Sequence, residues 1–183
     1  IEVNDCLDSF KFNEAAKLIY EFTWNDYCDW YIEIAKTRFY SEDSQNSKIA
    51  QKISVKVLKG ILTLLHPFAP FITEELWSYF KVDGEDDLIV TSWLSSDDRN
   101  YDRDTFQNFE IIKSTISAVR MIRTKMNVPS NKKSRIIIRN GKKFETLIQN
   151  NDKIIKTLAG IKNIDFSDDK ERPEKSASAI VNM

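Results

Sequence analysis

A chain of 183 residues with 42% hydrophobic content can bury a full core, as one domain or as one with a small companion, and only four glycines and four prolines argue for long helices against an all-β fold rich in tight turns. The formal net charge of -1 excludes a general taste for polyanions, and no apolar run approaches the roughly 18 residues of a membrane span. Two cysteines and one histidine speak against a disulfide framework and a zinc site, and no secretory leader pattern opens the chain, so the expectation is a cytoplasmic protein with no membrane contact.

From Asn13, a good N-cap residue, apolar positions 15, 16, 18, 19, 22 and 23 follow helical spacing, and the pattern resumes after Trp24 to predict a helix to about Arg38. The next helix, from about Asn46, carries Ile49, Ile53, Val57, Ile61 and Leu65 at four-residue steps and reads as a core helix. Pro67 should end it at His66, because a proline disfavours the helical conformation in the residue before it. Pro70 suits the first position of a new helix over residues 70–80, and Glu74 and Glu75 lie near the positive end of its dipole. Phe68, Phe71, Leu76 and Trp77 are expected to anchor this corner in a core. His66, the lone imidazole, is expected to serve the helix end rather than catalysis.

Residues 81–101 read as an acidic loop that returns through Val90 and Trp93. A long helix follows over about 102–127, with Phe106, Phe109, Ile112, Ile116, Val119, Ile122 and Met126 on one stripe, and Pro129 stops it. Beyond that point the period changes. Residues 134–139 are β-branched and read as a strand bounded by Asn140 and Gly141, helical patterns cover about 142–150 and 151–159, residues 161–166 alternate as a second strand, and 177–183 suggest a third. The fold class is thus mainly α, a helical bundle over 1–128 with a small α/β subdomain over 129–183. The chain starts without methionine and ends in what reads as a strand cut short, so both ends are expected to be boundaries inside a longer protein.

Charge is segregated despite the small net value. Between Glu110 and Glu145 stands no acid, while Lys113, Arg120, Arg123, Lys125, Lys132, Lys133, Arg135, Arg139, Lys142 and Lys143 do; residues 83–104 carry eight acids. A local basic surface in a neutral protein suits contact with a phosphate backbone, against the alternative of a solvated face paired with acids elsewhere. Arg120 and Arg123 lie three apart on one helix, with Asn127 a turn further on the same flank, and could clamp a phosphate or an acidic neighbour. Lys132 and Lys133 follow the helix end, and Arg135 opens the strand. Ten of the chain's aromatic residues fall between positions 10 and 40. Most are expected in the core at helical spacing, at most two being exposed, and Phe39 and Tyr40 beside Arg38 are best placed to stack on unpaired bases.

Three stretches resemble a known family. HPFAPFITEELW (66–77) closely resembles the anticodon-binding domain of the class I aminoacyl-tRNA synthetases for valine, isoleucine and leucine. FNEAA (12–16) with NDYCDWYIE (25–33), and IRTKMNVPSNKK (122–133), resemble the valyl members in particular, the last being the most discriminating; together these cover most of residues 7–135. Leu94 after Trp93, and Ser130, stand where the family more often has proline, both in loops.

The resemblance implies an anticodon-side, tRNA-binding part of an enzyme that activates valine with ATP and Mg and attaches it to tRNA(Val), with the rest of the synthetase chain as its partner and a monomer as its state. It implies no catalytic residue here. Lys125-Met126 imitates the opening of the signature KMSKS but continues differently, no HIGH-like motif exists, and no glycine-rich phosphate loop is present. The alternatives are the equivalent isoleucyl domain and a helical protein-interaction module without an RNA role.

Overall fold

The corner predicted from Pro67 and Pro70 is present in the structure, a computed structural model that describes residues 2–40, 43–95, 102–167, 173 and 176–181. The chain divides into two compact units, Ile1–Arg99 and Asn100–Met183. That division falls upstream of the change from helical to strand periodicity at Pro129.

The first unit is helical. A short helix α1 (Glu2–Asp8) precedes a continuous rod made of α2 (Phe12–Glu21), a π-helical stretch Phe22–Ile32, and α3 (Glu33–Phe39). The rod starts one residue before the expected cap, so Asn13 lies inside it, and Lys11 holds the N-cap position without a side-chain bond. The π-helical stretch is where the helical pattern of apolar residues was interrupted at Trp24; its wider turn displaces the face on which side chains recur. It buries Tyr27 and Trp30. α4 (Ser44–Leu65) is capped by Asp43, whose carboxylate accepts from the amides of Gln45 and Asn46. Small residues Ser47, Ala50 and Ser54 form its buried face, where Ser47 Oγ donates to Phe39 O at 3.0 Å and Tyr27 Oη to Ser54 O at 2.9 Å. Burial holds the Tyr27 hydroxyl above its ordinary pKa. Ile49 and Ile53, expected in the core, are 47% and 43% exposed, because the first half of α4 turns its small residues inward instead.

The corner leads into α5 (Pro70–Ser78), with Pro70 at its start. His66 Nδ1 lies 2.8 Å from Thr73 Oγ1, and that hydroxyl bonds Ala69 O, so the imidazole joins the end of one helix to the start of the next. Trp77 is buried with Leu62 and Leu88. Phe71 and Leu76 are not: the first is 91% exposed and the second 40%, since one face of so short a helix holds only Thr73 and Trp77 inward. The following loop is pinned by polar contacts. Both oxygens of Glu74 accept loop amides, Leu88 N at 2.9 Å and Ile89 N at 3.1 Å, and Trp77 Nε1 donates to Asp86 O. Lys59 meets the Glu85 carboxylate at 2.5 Å with its ammonium 4.7 Å from the Trp77 ring centre. Leu88 is therefore the residue that anchors the loop, whereas Val90 is 68% exposed and Trp93 reaches Asn4 through its indole nitrogen. The remainder of the expected acidic loop, 96–101, lies outside the described residues.

The second unit begins with α6 (Arg103–Lys125), capped by Asp102. Its stripe Ile112, Ile116 and Val119 is buried as predicted, while Phe106 and Met126 at its two ends are exposed. Strand β1 (Ser134–Ile138) and strand β2 (Ile161–Phe166) pair in parallel, Ile136 opposite Ile164. Parallel pairing needs a long crossover, which α7 (Glu145–Asn150) and α8 (Asp152–Ala159) supply. Ile148, Ile155, Ala159 and Ile161 fill the core beneath them. Gly160 ends α8 at φ 64°, a left-handed conformation that glycine adopts freely. No third strand is formed among the described residues: 177–181 pair with nothing in a sheet, and the rest of the expected strand, 182 and 183, lies outside them.

Candidate nucleic-acid interface

The basic segment of the second unit is organised around one guanidinium. Arg123, in the last turn of α6, donates through Nη1 to Lys132 O at 2.8 Å, Gly160 O at 2.9 Å and Ser134 Oγ at 3.1 Å, and through Nη2 to Pro129 O at 3.0 Å. It thereby fastens the loop after α6, the start of β1 and the turn between α8 and β2 to one point. Arg120 acts beside it, donating from Nε to Leu158 O at 2.9 Å. Both guanidiniums, which their spacing offered to a phosphate or an acidic neighbour, are thus engaged by acceptors within the fold. Three residues of separation puts two side chains on one flank, but the acceptors that hold them come from segments far along the chain.

Asn127 also has an internal task. It sits at φ 50° just past the helix, its amide bonding Thr124 O at 3.1 Å while Val128 N bonds Arg123 O at 2.9 Å. This pair of bonds is the Schellman closure of a helix, in which asparagine is the usual substitute for glycine. Its role is to turn the chain toward Pro129.

What those three residues position is a short basic loop. Lys125 closes α6, and Lys132 and Lys133 follow Pro129 on the segment that Arg123 holds; all three are exposed, and none pairs with an acid among the described residues. These four acceptors of Arg123 are uncharged oxygens, so its positive charge is added to theirs rather than cancelled. Arg135 is 68% exposed at its side chain and bridges Asp165 across the strands at 2.5 Å. Lys113 pairs with Glu110, and Lys143 lies over the Phe144 ring. The loop can accordingly offer mobile ammonium groups on a fixed backbone, a setting for phosphate contacts without base reading.

In the first unit Arg38 is exposed and Tyr40 is 87% exposed, but Phe39 is half-buried, its carbonyl held by Ser47. Only Tyr40 of the two rings is fully presented. Exposed aromatics are more numerous than expected: Phe10, Phe12, Tyr20, Phe22 and Trp24 join Tyr40, with Tyr20 and Trp24 stacked 6.4 Å apart. Helical spacing showed that these rings share faces but not that the faces lack a cover. Glu14 and Glu21 accompany them, each within salt-bridge reach of a lysine, so the local charge does not favour phosphates. A second basic run also escaped the sequence reading. Between Asp43 and Glu74 there is no acid, and the lysines there alternate with the row of apolar residues on the same helix.

Among the described residues no group of three or more histidine, cysteine or acidic side chains could hold a metal ion. The glycines are isolated and form no phosphate cradle.

Comparison with known proteins gives a consistent result. Residues 1–138 match the family model described as the anticodon-binding domain of tRNA ligase. A valine–tRNA ligase of Fusobacterium nucleatum is 40% identical over 184 residues, covering 98% of this chain and 20% of that protein. The valine–tRNA ligase of Thermotoga maritima is 36% identical over 180 residues, with 98% and 20% covered, and that of Pelagibacter ubique 39% over 171, with 91% and 19%. The chain spans about a fifth of the length of the curated relatives it matches.

Proposed function

Because the chain belongs to the family of anticodon-binding domains of tRNA ligases, we propose that it is the tRNA-contacting portion of a valine–tRNA ligase, and that it positions tRNA(Val) while residues outside it activate valine. The observation that carries this reading is the loop held by Arg123, where Lys125, Lys132 and Lys133 are exposed and unpaired among the described residues. Arg38 and Tyr40 form a second candidate contact, a cation beside an exposed ring. The likeness to valine–tRNA ligases supports the valyl assignment over the isoleucyl one. ATP and Mg belong to the proposed parent activity and not to these residues. No described helix is long and apolar enough to cross a membrane; the proposal places the parent enzyme in the cytoplasm, as a monomer.

The test is charge reversal at Lys125, Lys132 and Lys133 to glutamate, with Arg123 left in place so that the fold is kept. Binding of a tRNA transcript should weaken, and its dependence on salt should flatten by about 0.7–0.9 per lost contact. Unchanged binding in this variant would remove the loop from the interface.

A further inference from the structure

The acid-free run of the first unit carries four lysines, Lys48, Lys52, Lys56 and Lys59, at steps of four, four and three. On α4 these steps return to one face, and at a rise of 1.5 Å per residue the first three span about 12 Å of the helix. Lys48, Lys52 and Lys56 are exposed, and none pairs with an acid among the described residues. Lys59 differs, being committed to Glu85 and the Trp77 ring. Like charges four residues apart on a helix repel, so this row is mildly unfavourable in the folded chain alone.

Beside the row lies a groove of about 470 Å3, lined by Gln51, Val55, Phe80 and Val82 together with the lysines. Val82 is 65% exposed, and Val55 and Phe80 are half-buried. The lysine stems can lie along this apolar floor while their ammonium groups reach its rim. The result is a line of cations bordering a surface on which a flat ring can rest.

We infer that this face of α4 binds an RNA strand, its phosphates along Lys48, Lys52 and Lys56 and an unstacked base against Val55, Phe80 and Val82. The inference rests on the RNA-binding reading above but concerns residues other than those it names. Single-strand contacts of this type join a cationic track to a stacking surface and tolerate many sequences. Lysine suits the track, because a mobile point charge needs no fixed phosphate geometry.

The experiment uses the 183-residue chain, a fluorescein-labelled RNA hairpin with an unpaired loop, and polyglutamate of similar length as a second probe. The variant Lys48→Gln/Lys52→Gln/Lys56→Gln keeps good helix formers at exposed positions, and circular dichroism confirms that it folds. The parent should bind the hairpin, and the triple variant about tenfold or more weakly, with a salt slope lower by about 2. Val82→Glu, which sets an acid in the groove, should also weaken binding. If the parent binds the hairpin and the triple variant binds it equally, the inference is overturned while the broader reading stands. If the parent binds no RNA at all, the broader reading fails with it. Polyglutamate binding as tightly as the hairpin, and lost in the triple variant, would overturn the inference in favour of an acidic protein partner.

Discussion

Removing the Arg123 side chain tests the internal clamp, and the choice of replacement separates clamp from charge. Of its four acceptors, Lys132 O and Pro129 O are at exposed contacts, where water replaces the lost donor. Ser134 Oγ and Gly160 O are at partly buried ones. Hydrogen bonds from a charged donor contribute about 1.5–3 kcal/mol when shielded from water and less when wet. Allowing about 1–1.5 kcal/mol for each of the two shielded bonds, and little for the others, Arg123→Ala should destabilise the second unit by about 2–3 kcal/mol. Arg123→Lys keeps the charge but not the planar fork, and one ammonium cannot satisfy acceptors on three segments. It should recover less than half of the loss.

The assay is chemical denaturation followed by circular dichroism and by tryptophan fluorescence together. All four tryptophans lie in Ile1–Arg99, so a transition seen in ellipticity but silent in fluorescence belongs to Asn100–Met183. If Arg123→Lys unfolds within about 0.5 kcal/mol of the parent, as a surface change would, the clamp is refuted. Weakened RNA binding by Arg123→Ala without any loss of stability would return this arginine to the phosphate contacts.

Trp77→Ala should destabilise the first unit by about 3–5 kcal/mol, read from denaturation curves, because the indole is 4% exposed and fills the space between Leu62 and Leu88. Gly160→Ala should cost about 1–2 kcal/mol in the same measurement, since a Cβ there would sit 3.3 Å from the Arg123 guanidinium at a left-handed φ. Acid should weaken the fold through Glu85 and Asp102. The Lys59 ammonium holds the Glu85 carboxyl below its ordinary pKa, and the Thr105 hydroxyl does the same for Asp102. A depressed folded pKa contributes stability that is present above the unfolded value and lost as pH falls through the folded one, so melting temperatures should drop between about pH 5 and about pH 2. Glu85→Gln should show a smaller drop over that range.

Local signals carried the helices and the first two strands well. Pro67 and Pro70 marked the corner through backbone restrictions that need no tertiary partner, and the β-branched run at 136–138 marked a strand for the same reason. Burial was less legible. Spacing put Phe71 and Leu76 near Trp77 on a short helix but said nothing of which face would be covered. The loop after α5 depended on Glu74 reaching amides fourteen and fifteen residues away, and no periodicity encodes such a bond. At the candidate interface, the acid-free stretch was plain in the sequence, whereas the acceptors of Arg123 were not. Asn127 was readable in principle, as a left-handed residue closing a helix two positions before a proline. The lysine row on α4 shares its four-residue period with an apolar row, because Lys48, Lys52 and Lys56 each precede by one residue Ile49, Ile53 and Val57.

The central claim is that this domain holds tRNA by exposed cations on a fixed backbone. It is tested most directly by equilibrium binding of valine tRNA and a non-valine tRNA to the 183-residue chain at about 50 mM and about 200 mM salt. The account predicts that both bind, that both weaken steeply between the two conditions, and that they differ by less than about tenfold, because phosphate contacts position an RNA without reading its bases. Absence of binding at the lower salt, or binding indifferent to salt, would contradict it.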